Sequence, residues 1–577
     1  MRPKKRNASA TSAAGHTPKR NTGSGHRSPR KLLRRGIFRR LVPKGFAMTI
    51  TVKLTVPPFG HKSPTMFVQK PFLVVAFASL FSTTLVAQTL RIDKVGGGIG
   101  SSVSFPLRGP ASEFYALLFA LNEQPTPIPA LNVTLDIPLY LAGSVSGLPG
   151  FMSFFNAAGT ATASTPIPNI PELAQLILSF QALTIPEPGT AGQSVVSNLI
   201  RLTPQVPGTF APCLSQPPVP IIGGSFAPAG AGELLFCGGS GPIAQRYNSN
   251  TESWSLSGAA LSFGLLSQST GLPDGRILFT GGIDVGTGQP TAGAAIYDPV
   301  SQTTTQLTMN TARAGHGASV MGNGRVLVSG GSATFTFTNI LSLFTGISAT
   351  TEIFDPATNT FAPGPNMLEA RAFHTSTTLT NGQVLIAGGL SVLPIINLPT
   401  VSSTAYKFNP ATNSFGFPAF MNGGRFLQSA APLSDGKVLI AGGITLDLTT
   451  FLTTLNVADI VIGTRTDCQM FATAIFGFGT FTTVNGMSEG RAGAAIAPLP
   501  NGGALIAGGF QLLLDISNAQ FGFNPTSSAD KFAQGPNRLL PTGSMASSRL
   551  FPVAANLPDG TVMIVGGGGQ AEIYQNQ

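Results

Sequence analysis

The 577-residue chain is poor in the side chains that most often carry chemistry: three cysteines, five histidines, one tryptophan, and only 10% charged residues. His16, His26 and His61 fall in the first 65 residues, leaving His316 and His374. Two histidines far apart, with no clustered partners, do not make a copper site or another metal centre, and no metal or other cofactor is expected. No Cys, Ser or carboxylate stands in a recognisable nucleophile motif. Cys213, Cys237 and Cys468 allow one disulfide and leave one thiol over. In an exported chain Cys213 would pair with Cys237; the alternative is that each is a small buried apolar residue.

Acidic residues are missing altogether from residues 1–65, which hold 16 of the 34 Lys and Arg. The remainder carries 18 basic and 23 acidic residues, a net of −5, so the overall charge of +11 belongs to the front end and nucleic acid is not the expected partner. Residues 1–65 are read either as a disordered basic arm or as sequence upstream of a later start at Met48 or Met66. After Met66 come a short polar stretch, an apolar run from Pro71 to Ala87, and Gln88-Thr89. That is the layout of a secretory signal, so 66–88 is read as a signal peptide, with no stable membrane span after its removal.

Glycine, by contrast, is abundant and phased. A short apolar strand ending in Gly-Gly occurs seven times, with first glycines at Gly238, Gly281, Gly330, Gly388, Gly442, Gly508 and Gly566. Six copies are preceded by Asn-Gly or Asp-Gly, as in Asn323-Gly324 and Asp435-Gly436, a hairpin signal that predicts a type I′ turn. Arginine stands 17 residues before the first glycine in five copies: Arg313, Arg371, Arg425, Arg491 and Arg549. Downstream, aromatic strands are closed by turns such as Asp355-Pro356-Ala357-Thr358-Asn359. A period near 50 residues marks a repeat array.

The Arg-x-x-His segments Arg313 to His316 and Arg371 to His374, the Gly-Gly strands, and Tyr247 followed by Trp254 together resemble the kelch repeat. The resemblance covers about 205–577 and implies an all-β fold, a seven-bladed kelch-like β-propeller over 206–577. The chain departs from the pattern by placing Phe361 and Phe415 where the repeat has Trp, and Thr304 in blade two. The last copy ends in the third strand of a blade, and Gly208-Thr-Phe210-Ala-Pro212 matches the fourth-strand sequence around Phe361, so this segment is expected to close the ring. Residues 89–205 lack the phasing and read as a small β-sandwich module, with a helical turn within Pro166 to Ala174.

Two features are candidate sites. If the five arginines point into the channel, they form a positive, anion-binding collar; the alternative is that they hold backbone carbonyls or acids such as Glu369 and Glu489. The insertions at 332–350, 390–403, 444–456 and 510–520 fall at the same place in blades three to six, and Phe344, Ile395, Phe451 and Leu513 are the expected partner contacts. Alternatively these insertions extend the strands as hairpins and pack on one another. The resulting expectation is an exported, secreted or cell-surface bacterial scaffold that binds a protein or polysaccharide. The resemblance also admits a galactose-oxidase-like or carbohydrate-active enzyme, and a structural envelope component is a third reading.

Overall fold

The computed structural model describes residues 90–576 apart from 138–147, 149, 187–192, 231, 239–242, 261–263, 285, 335–345, 394–397, 448–449, 455–458, 460, 475–476 and 516–519. Residues 1–65 and the expected signal lie outside the described residues. The described chain is almost entirely antiparallel β-structure.

Among the described residues, seven sheets repeat one plan. Blade three is representative: Gly317–Val320, Val326–Ser329, Thr351–Asp355 and Thr360–Pro363 pair in that order. The second strands of blades two to seven are short and fully buried, as with Val326–Ser329, Val384–Ala387 and Ala504–Ala507, because sheets pack on both of their faces. The first strands of successive sheets lie side by side around the ring. Val553–Asn556 of the seventh sheet comes back beside Ser225–Gly230 of the first, so the propeller is closed.

The hairpin turns differ from the sequence expectation. Gly275, Gly324, Gly382, Gly436, Gly502 and Gly560 have positive φ, but the Asn or Asp before each does not. That residue instead accepts a backbone N–H two positions on with its side chain, as Asp274 does from Arg276 and Asn381 from Gln383. Leu272 and Arg276 bridge the hairpin with a Leu272 N–H to Arg276 carbonyl bond of 2.8 Å. The extra residue needs only one left-handed position, so Asn or Asp serves as a side-chain acceptor rather than as a tolerant backbone.

Phe210–Pro212 pairs with Gly569–Tyr574 and supplies the outermost strand of the seventh sheet. Its register repeats that of the other blades. Phe210 opposes Tyr574 with ring centres 5.0 Å apart, as Trp254 opposes Tyr247 (5.1 Å), Phe361 opposes Phe354 (4.9 Å) and Phe415 opposes Phe408 (5.1 Å). Deleting residues 206–213 is therefore expected to bare the edge of Gly569–Tyr574, lower the melting temperature and promote aggregation. A deletion variant that melts with the wild type would reduce this strand to a linker. Blade five completes itself with Cys468–Thr473 and Gly479–Val484.

The N-terminal module is a sandwich of two antiparallel sheets. One is centred on Ser102–Arg108, the other on Leu178–Ile185 and Phe114–Ala120. Phe105 and Phe180 meet between them at 4.4 Å, with Leu117 and Phe151 fully buried around them. The helical turn is a 3-10 segment at Pro171–Gln175. The module docks where the ring closes. Lys94 Nζ lies 2.7 Å from Glu252 of blade one and 3.6 Å from Asp559 of blade seven, and donates to the Arg201 carbonyl at 2.7 Å. All three charged side chains are buried. The three cysteines are free and buried, so the Cys213–Cys237 pairing is not made. Cys237 instead sits 3.7 Å from the Ser267 hydroxyl, and burial pushes its thiol up to about 12.

Candidate functional site

The arginine spacing has a direct geometric meaning. Each arginine donates through Nη1 to the carbonyl of the glycine 17 residues later in its own blade: Arg313 to Gly330 at 2.7 Å, Arg371 to Gly388 at 2.8 Å, Arg425 to Gly442 at 3.2 Å, Arg491 to Gly508 at 3.4 Å and Arg549 to Gly566 at 3.1 Å. Its own carbonyl accepts from the second glycine of the preceding blade, as Arg371 does from Gly331 at 2.8 Å. The first glycine passes so close to that carbonyl that a Cβ on Gly330 would lie 2.3 Å from the Arg371 oxygen. Gly-Gly is thus required by the blade-to-blade joint. Ile221 plays the arginine's backbone part at the seam, accepting from Gly567 at 3.0 Å.

The guanidinium groups are at most 1% exposed and face carboxylates: Arg313 with Glu352, Arg371 with Glu369, Arg425 with Asp467, Arg491 with Asp530, and Arg549 with Glu572. Burial lowers the pKa of Arg313, Arg371, Arg425 and Arg491, and the neighbouring acids oppose that effect. Burial of Asp467 would raise its pKa, but bonds from Arg465 and Arg425 hold it at about 2. This arrangement gives a set of blade clamps rather than an open positive collar. Glu352 and Asp530 each stand 22 residues after their blade's first glycine, a phased acid that was available in the sequence and was missed.

Two residues after each arginine the backbone turns left-handed. Phe373, Leu427 and Phe551 have φ of 55°, 53° and 50°, and Gly315 and Gly493 hold the same place in blades three and six. Phe373 N–H donates to the Gly315 carbonyl at 2.7 Å, and Leu427 N–H to the Phe373 carbonyl at 3.0 Å, so this turn links neighbouring blades. Bulky residues at positive φ cost on the order of 1–2 kcal/mol each. Here they lean on small neighbours: a Cβ on Gly315 would touch the Phe373 ring, and one on Gly493 the Phe551 ring.

His316 and His374 follow immediately and tie blades together. His316 Nε2 is 2.9 Å from the Thr280 hydroxyl of blade two, and His374 Nε2 is 2.9 Å from the Ser329 hydroxyl of blade three. Gln428 makes the equivalent bond to the Ala387 carbonyl at 2.7 Å. Burial, reinforced by Arg313 for His316 and by Arg371 for His374, pushes both imidazoles down to about 3, so they are neutral near pH 7. Among the described residues, no group of three or more His, Cys, Asp or Glu is placed to hold a metal ion.

The insertions of blades four to six form hairpins on the face where the Gly-Gly strands end. Leu390–Leu393 pairs with Leu398–Val401, Ile444–Asp447 with Val461–Thr464, and Phe510–Asp515 with Gln520–Pro525. Each starts by bridging its blade's arginine turn, through Ala372 to Leu390, Phe426 to Ile444 and Ala492 to Phe510. Leu398–Val401 lies beside Ile444–Asp447, and Val461–Thr464 beside Phe510–Asp515, so the hairpins pack together. The roots of the blade-five and blade-six hairpins form an apolar cluster of Ile444, Ala492 and Phe510 with Leu427 and Phe551. Leu513 and Val461 point outward, 54% and 59% exposed. Phe344 and Ile395 lie outside the described residues; Phe451 falls in the short helix Phe451–Thr454.

No family model and no curated protein matches the chain. Among solved structures, that of YjhT is similar with a TM-score of 0.41 and 16% identity, covering 57% of this chain and 99% of its own. A fungal alcohol oxidase of the AA5 family, in complex with copper, is similar with a TM-score of 0.45 and 16% identity, covering 63% of this chain and 75% of its own.

Proposed function

We propose that this chain is exported after loss of a signal at 66–88 and acts as a binding scaffold, with the hairpin-bearing face of the propeller as its contact surface. The observation that carries this reading is the gathering of three hairpins from successive blades on one face, two of them rooted in a shared apolar cluster and presenting Val461 and Leu513 to solvent. Exposed apolar side chains grouped on one face mark interaction surfaces. The partner class is a protein or polysaccharide of the cell surface.

Replacing Val461 and Leu513 together with serine should leave the fold intact, since exposed substitutions usually stay within about 0.5 kcal/mol. Retention of the purified protein on an envelope fraction, or on envelope polysaccharide, is expected to fall about tenfold in this variant, the equivalent of 1.4 kcal/mol. Equal retention of variant and wild type would overturn the assignment of this face. Stoichiometric copper in the purified protein would favour an oxidase instead.

A further inference from the structure

The hairpin-bearing face carries charge of one sign. From Ser332 to Thr350, Leu390 to Ser403, Ile444 to Thr464 and Phe510 to Pro525 the sequence has three acids, Asp447, Asp459 and Asp515, and no lysine or arginine. Asp447 is exposed and stands opposite Val461 in its hairpin, and Asp515 stands opposite Gln520 in the next. Glu369 and Glu489, with side chains 33% and 31% exposed, add two more carboxylates from the blade-to-blade loops of the same face. The arginines of those loops do not offset them at the surface, because all five are at most 1% exposed. Arg465, the other described cation in the loops of this face, is 20% exposed and held by Asp467 at 2.6 Å.

The N-terminal module leaves this face uncovered, since it meets the ring through Glu252 and Asp559, which lie in turns at the opposite ends of the strands. Apolar side chains beside carboxylates, with no basic group in reach, select among partners by charge. Acidic polysaccharides and negatively charged lipid surfaces are repelled. A neutral sugar gains little either, because the aliphatic Val461 and Leu513 offer it no aromatic face to stack on and no hydrogen-bond donor.

We propose that the partner of this face is a protein segment whose apolar side chains are flanked by lysine or arginine. The proposal rests on the hairpin face being the contact surface. Val461, Leu513 and Phe523, the last 45% exposed, form the apolar centre of the contact. The carboxylates around them fix the register of the partner and speed its approach.

The test measures retention of the full chain on an envelope fraction, intact or digested with protease, at two salt concentrations. Asp447→Asn/Asp459→Asn/Asp515→Asn keeps the size of each side chain and removes its charge. This variant is expected to be retained about fivefold more weakly than wild type, the sum of three exposed ion pairs. The difference seen at ~50 mM salt is expected to vanish at ~500 mM, where surface charges are screened. Digestion of the fraction is expected to abolish retention of the wild type. Undiminished retention of the charge variant overturns the proposal, and so does retention that survives digestion, which would make the partner a sugar or a lipid. A stable wild-type dimer that Val461→Ser/Leu513→Ser cannot form overturns it as well, because the occupant is then a second copy of the chain. If the triple variant does not fold, wild-type retention that is unchanged between the two salt concentrations overturns the proposal by itself. Failure of the face is a separate result: either the wild type is not retained at all, or Val461→Ser/Leu513→Ser is retained equally well.

Discussion

Lys94→Met is expected to destabilise the protein by about 3–5 kcal/mol, the usual cost of breaking a buried ion pair from one side. The substitution leaves Glu252 and Asp559 buried together, 6% and 8% exposed, with no cation between them. It also removes the only described salt-bridging cation that reaches both blade one and blade seven. Burial alone would lower the pKa of Lys94, but the two carboxylates outweigh it and raise the pKa above the ordinary lysine value. Because the folded pKa exceeds the unfolded one, the stabilisation is complete below about pH 10.4 and is lost only as the pH rises through the folded value. The check is a urea melt of Lys94→Met beside the triple variant Lys94→Met/Glu252→Gln/Asp559→Asn. Recovery of most of the loss in the triple variant is expected, since it removes the stranded charges. A single variant as stable as wild type would show that the module merely rests on the ring.

Arg491→Met is expected to cost a similar amount, about 3–5 kcal/mol. Arg491 is fully buried, lies 2.8 Å from Asp530 and donates to the Ser528 carbonyl at 2.7 Å as well as to Gly508. Its loss strands a carboxylate that is 1% exposed and frees carbonyls at the joint to blade seven. The matched control is Arg276→Met, whose partner Asp274 is 43% exposed and whose salt bridge is worth about 0–1 kcal/mol. Denaturant melts of the two variants should separate clearly. Near-equal stability, accompanied by a lost affinity for small anions, would return the arginines to the role of an open collar.

Much of the architecture was legible because its requirements are local and recur in phase. Gly-Gly is dictated by a backbone approach too close for a Cβ, and the arginine 17 residues before it by the reach of one guanidinium to one carbonyl. The closing strand could be found because Phe210 meets Tyr574 as Phe361 meets Phe354. The turn type was misread because Asn-Gly and Asp-Gly serve two different turns, and only the backbone shows which residue takes the positive φ. The recess between the first strands of blades two to five was legible only in part: His316 and His374 stand in the Arg-x-x-His segments, but Gln268 and Ala430 carry no such signature and only the fold brings them beside the histidines. Nor was the direction in which the arginines point, because the same spacing suits a side chain turned toward the channel or back into its blade.

The seam between the first and last blades also bears on how the ring is made. Gln216 and Ala571, which bond there, are 355 residues apart. Bringing such distant segments together carries a larger loop-closure entropy than any joint between consecutive blades, and proteins dominated by remote pairings fold slowly. Six blades can each form from a contiguous stretch as it emerges, but the seventh waits for both ends. Until Phe210–Pro212 docks, the chain is an open arc with an unpaired strand at its end. The interval before closure is therefore when this protein is most exposed to association with other copies.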